Sequence, residues 1–109
     1  LRIFTSVVSR ASDNRGILDA GSKTLTSDPG GLEGYGLILE HPKKQISKMA
    51  EEHGFLELSD CDKRPEIGDI VRVVPNHVCV VVNMFDQLVV VSDDRIVDVL
   101  IVEARGRLV

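Results

Sequence analysis

Tryptophan is absent, tyrosine occurs once, and aromatic residues make up only 4% of the 109 positions. Bases would find little to stack on. Lysine and arginine number 13 against 17 acidic residues, a net charge of −4, and no stretch gathers the cations densely enough to track phosphates. Both shortages argue against nucleic acid as a partner. No window holds the roughly 18 consecutive apolar residues that a membrane span needs, and no signal-peptide pattern is visible. There are two cysteines, Cys61 and Cys79. A disulfide between them stays open, but two thiols without a secretion signal fit a reducing, cytoplasmic compartment better. An initiating methionine is lacking too. The chain opens directly into "LRIFTSVVSR", already strand-like, and the expectation is a piece of something longer.

What is present reads as one β-rich domain. The length suffices to bury a core without staples, and 43% hydrophobic with 28% charged residues is ordinary for a globular chain. β-branched runs separated by turn formers predict strands over Arg2–Arg10, in "ILDAG", in "LILEH" before Pro42, and from Val71 onward. "KKQISKMAEEHGFLEL" reads as two extended pieces around a turn at Glu52–Gly54. "SDCDKRPEIGD" is a polar connection. A turn at Asp86–Gln87 and a hairpin pairing Leu88–Val91 with Ile96–Val102 complete the pattern. Between Ser22 and Gly36, "SKTLTSDPGGLEGYG" carries four glycines and one proline and predicts a long loop, of the kind that is usually functional. Seven or eight short strands around such a loop indicate an all-β fold, a small β-barrel or a sandwich-like domain spanning residues 1–109.

One feature carries chemistry. Within "VRVVPNHVCVVVNMFDQLVVV", read as extended chain, His77 and Cys79 lie two residues apart and therefore on one side of a strand. Their Cα atoms would be about 6.6 Å apart, a gap that zinc closes with bonds of about 2.0–2.3 Å to nitrogen and sulfur. Pro75 removes a ladder donor and suits an edge or a rim. Two ligands leave a metal open, which is a catalytic rather than a structural design. The competing reading is a packed cysteine beside a hydrogen-bonded histidine. Cys61 reads as an exposed bystander, and His41 and His53 as surface residues near turns.

"LDAGSKTLTSDPG", "GYGLILEHP", "EEHGFLELS", "IGDIVRVVPNHVCVVVNMFDQLVVV" and the closing "VEARGR" together resemble the C-terminal domain of the D-serine dehydratase-like and metal-activated D-threonine aldolase family. The resemblance spans nearly the whole chain. It implies a fold-type III pyridoxal-phosphate enzyme, alanine racemase-like, whose N-terminal barrel carries the Schiff-base lysine and is absent from this chain. The β-domain would complete the active site, usually within a homodimer. It also implies that His77 and Cys79 hold zinc or another divalent metal beside the cofactor, where the ion meets the β-hydroxyl of a D-3-hydroxy amino acid. The parent would then dehydrate or cleave that substrate as a lyase. A cysteine rather than an aspartate as second ligand leans to the dehydratase-like branch.

The same resemblance bears on other positions. Lys23 in "DAGSK" is not the Schiff-base lysine, which belongs to the barrel; it orders the loop or meets the other domain. Asp19 and Ser22 either line the active site or form an Asx-type turn at a strand end. Tyr35, between glycines, reaches into a cleft or covers the core. Asn76 could orient the His77 ring, although strand alternation points it to the opposite face unless a bulge intervenes. The isolated domain is expected to be inactive. The alternative is a free-standing β-barrel binding module with no catalytic role, in which His77 and Cys79 are core residues.

Overall fold

Alternation in the opening β-branched run decides the first wall of the fold. In the computed structural model, which describes residues 1–59 and 63–107, this run forms β1 (Ile3–Ser12), with Thr5 and Val7 inside and Phe4 and Val8 outside. Asp13 and Asn14 turn the chain into β2 (Arg15–Leu18). A single helical turn, α1 (Ser22–Leu25), precedes the glycine-rich loop. Then come β3 (Leu37–Ile38), β4 (Gln45–Met49), β5 (Gly54–Glu57) and β6 (Ile70–Val74). The two extended pieces expected around Glu52–Gly54 are β4 and β5. "LILEH" contributes only its Leu37–Ile38 portion as strand. Cys61 lies outside the described residues.

Six strands close into an antiparallel barrel in the order β1-β2-β5-β4-β3-β6, β6 pairing back onto β1. The fold is all-β, and a barrel rather than a sandwich. Val7, Leu18, Ile38, Ile46, Leu56, Leu58, Val71 and Val73 fill the interior, with Leu25 from α1 as a plug. A barrel this small holds its own side chains and no ligand. The β3–β6 seam is short, Leu37 opposite Val74 and Ile38 opposite Val73. It is braced by the Leu39 N–H, which donates to the Arg72 carbonyl at 2.9 Å. Glu40 adds a fork, accepting from the Arg72 N–H at 2.8 Å and its Nε at 2.6 Å.

The Val71–Val91 run is not continuous strand. It breaks after β6 and re-forms as a helix, α2 (Val78–Val82), before β7 (Gln87–Ser92). β-branched residues disfavour helix, but the edges available to β6 end at Val73 and Val74. Pro75 donates no ladder bond, and a helical turn satisfies its own backbone where no edge remains. Only Val81 of α2 is buried. The turn expected at Asp86–Gln87 falls earlier, at Asn83–Met84, where the Met84 N–H reaches the Val81 carbonyl at 2.9 Å.

β7 and β8 (Arg95–Ile101) form a separate two-stranded hairpin, as the sequence predicts. It reverses through Asp93 and Asp94, both at positive φ (48° and 59°), the conformation that matches strand twist in tight hairpins. The hairpin is apolar yet uncovered: Ile96 is 70% exposed, and Val89, Val91, Val97 and Ile101 exceed half. A groove of about 400 Å³ runs between it and the start of β1, lined by Leu1, Ile3, Phe4, Phe85, Leu88 and Ile96 among others. Among the described residues no helix is long and apolar enough to cross a membrane.

Gly21, which caps α1, has no room for a side chain. A Cβ there would stand 2.4 Å from the His53 nitrogen and 2.5 Å from the Ala50 and Glu51 carbonyl oxygens, all of them backbone. Gly21→Ala is therefore expected to cost about 2–3 kcal/mol, read as a lowered denaturant midpoint. An unchanged midpoint would show that the α1 turn packs differently.

Candidate metal centre

The β3–β6 register fixes what meets at one end of the barrel. Because the strands are antiparallel, the loop leading into Leu37 lies beside the chain leaving Val74. The loop is internally tied: Asp28 Oδ1 accepts the Gly30 N–H at 2.8 Å, and the Leu32 N–H donates to the Pro29 carbonyl at 3.0 Å. Asn76 pins it from outside, its Nδ2 donating to the carbonyls of Pro29 (2.9 Å) and Gly34 (3.0 Å). His77 follows in extended conformation (φ −132°, ψ 100°). Its Nδ1 lies 2.6 Å from Asp28 Oδ2.

The His77 contact and the Gly30 N–H hold the Asp28 carboxyl below its ordinary range. An ionised carboxylate only accepts, so Nδ1 carries the proton of this bond. In the neutral ring Nε2 is then the bare nitrogen. Cys79 is a free, exposed thiol on the first turn of α2. The two side chains do not share a strand face, as the sequence reading supposed; the backbone passes from extended at His77 into helix at Val78. Among the described residues no cluster of three or more histidine, cysteine or carboxylate groups could hold a metal. Asp28 stands beside His77 on its Nδ1 side.

The remaining candidates lie elsewhere in the fold. Asp19 follows β2, where its Oδ1 accepts from the Thr5 hydroxyl at 2.5 Å and the Ser6 N–H at 2.8 Å. Ser22 opens α1 and donates its N–H to the Ala50 carbonyl at 2.9 Å. Lys23 pairs with Glu52 (2.5 Å) and Glu51 (3.1 Å), which raise its pKa. The "DAGSK" block is thus tied to the turn at residues 50–53. Tyr35 is half-buried and packs against the core. Asn76 reaches the loop rather than the His77 ring. His41 and His53 both serve turns, through their backbone. Asp28 was missed by sequence reading; the signal available was "SDPG", an aspartate placed to turn its own backbone.

Residues 1–91 match the family model described as "Putative serine dehydratase domain". The chain belongs to that family. Arthrobacter sp. D-threonine aldolase is 33% identical to this chain over 106 residues, 97% of the chain but 27% of the relative. The crystal structure of D-threonine aldolase from Filomicrobium marinum superposes with a TM-score of 0.86 at 26% identity, over 99% of this chain and 29% of that one. A Mycobacterium tuberculosis protein, "Uncharacterized protein Rv1414", is 37% identical over 112 residues, 98% of this chain and 84% of that protein. The domain thus spans under a third of the two aldolases and most of the mycobacterial protein.

The Thr5 hydroxyl holds the Asp19 carboxyl below its ordinary value; burial opposes this, and the Ser6 N–H reinforces the lowering. A depressed folded pKa stabilises the fold above the unfolded value of about 3.9, and the contribution is lost as pH falls through the folded value. Asp19→Asn should therefore cost about 1 kcal/mol near neutrality, with the gap from wild type narrowing below about pH 4. Equal gaps at both pH values in urea unfolding would contradict this.

Proposed function

We propose that this chain is the metal-holding β-domain that completes the active site of a pyridoxal-phosphate-dependent lyase acting on D-3-hydroxy amino acids, an aldolase or a dehydratase. The observation that carries the reading is the state of His77: a carboxylate occupies Nδ1 while Nε2 is left bare, a short way along the chain from a free thiol. This is the arrangement in which metal-binding histidines are usually found. His77 and Cys79 fit zinc or a similar divalent ion as two of its donors, the rest coming from outside the described residues. When bound, the ion supplies Lewis acidity and pyridoxal phosphate an electron sink for carbanion chemistry.

The domain's own residues account for the rest of its part. Asp28 and Asn76 orient and anchor; the uncovered β7–β8 hairpin and the adjoining groove offer apolar surface to an N-terminal barrel of the same chain and exclude water there. Lys23 remains outside the chemistry. Glu51 and Glu52 favour its ammonium form, the reverse of what a Schiff-base lysine needs. Asp19, Ser22 and Tyr35 support the walls by hydrogen bonding and packing. The parent enzyme is a cytoplasmic homodimer in this reading, and the domain alone is inactive.

A second reading, a free-standing β-barrel binding module, is favoured by the mycobacterial relative, whose length the chain nearly spans. The coding sequence upstream of Leu1 discriminates: a lysine-bearing barrel supports the enzyme, a start codon a few residues upstream the module.

In the full-length protein, His77→Ala and Cys79→Ala should each lower metal-dependent turnover by about 100-fold or more, as several kcal/mol rest on the ion. Pyridoxal-phosphate absorbance should persist. Full activity in both variants after chelation would refute the metal reading.

A further inference from the structure

We infer that the glycine-rich loop is the positioning arm of the metal centre, Asp28 selecting Nε2 of His77 as the coordinating nitrogen and Asn76 holding the loop in place to do so. The inference rests on the metal reading proposed above and deepens it. A solvated imidazole turns freely and exchanges its proton between both nitrogens, and this ring is 42% exposed. Packing alone does not fix it.

The fixing comes from the loop. Asp28 Oδ2 takes Nδ1–H at 2.6 Å while Oδ1 is held by the Gly30 N–H at 2.8 Å, so the carboxylate cannot rotate without breaking one of the two. Two further bonds, from Asn76 Nδ2 to Pro29 and Gly34, fasten the loop on either side of its turn to the residue preceding His77. Gly30 is packed against this attachment: a Cβ there would meet the Asn76 carbonyl oxygen at 3.3 Å, at a φ of +59°. Ring, carboxylate, loop and backbone thus form one closed circuit of hydrogen bonds. Its chemical outcome is an imidazole presented in the Nδ1–H tautomer with Nε2 aimed away from the loop. Asp28 is a positioning residue, acting on a ligand through His77.

The test follows the His77 ring nitrogens by NMR in the ¹⁵N-labelled full-length protein at about pH 8, above the ordinary histidine range, first metal-free and then with added zinc chloride. Wild type should show the Nδ1–H tautomer, and zinc should shift its Nε2 signal. Asp28→Ala should move the ring toward the Nε2–H tautomer and weaken zinc binding about 10–100-fold. Asn76→Ala should do the same in smaller measure. Circular dichroism checks that each variant is folded, and Asp28→Asn, which keeps an acceptor for Nδ1–H, should restore the tautomer in part. A wild-type ring in the Nε2–H form, or Asp28→Ala with unchanged tautomer and affinity, overturns the role of Asp28 alone. A wild-type Nδ1–H ring whose signals ignore zinc overturns the metal reading, and the role of Asp28 with it.

Discussion

Two backbone rungs between β3 and β6 decide where everything else can be. The pairing is short, and the Glu40 fork on Arg72 extends it by side chain where the strand has ended. Gly36 sits at the seam with φ +127°, and a Cβ there would come within 2.9 Å of the Val74 carbonyl oxygen and 2.7 Å of Val73 Cγ1. The close approach is possible because that side chain is missing. Once the seam is made, the loop before it and the segment after it are neighbours, and Asp28 meets His77 as a consequence.

The division of labour among the charged and polar groups follows from this placement. Asp19 spends its carboxylate on the barrel wall, Lys23 on the turn at residues 50–53, and Glu40 on the seam. Each is a satisfied structural contact. Asp28 differs because its partner is a histidine whose second nitrogen has no hydrogen-bond partner among the described residues. Composition gives no hint of the distinction, since all of these residues sit in polar stretches of similar appearance.

Much of the barrel was legible because alternation is a local signal. The burial of Thr5 and Val7, the two arms of the 45–57 segment and the Asp93–Asp94 reversal all follow from residues close in sequence. The break after Val74 was not legible in the same way. "VCVVV" has strand propensity, and it is helical because the partners of β6 run out, which only the closed topology decides. The strand-face argument for His77 and Cys79 failed for this reason, although the family resemblance carried by "PNHVC" pointed to the same residues. Asp28 lay deeper still: it is 49 positions from His77, and the pairing depends on a seam that no local pattern announces.

The barrel's first strand is zipped to its last, Ile3 against Val73, and most of the chain lies between them. A ring joined in this way has no stable half-built form, for an open sheet would leave two bare edges and a core exposed along one side. The wall therefore assembles late and all together, and the glycine-rich loop, hung from a two-rung seam, takes shape only when the circle shuts.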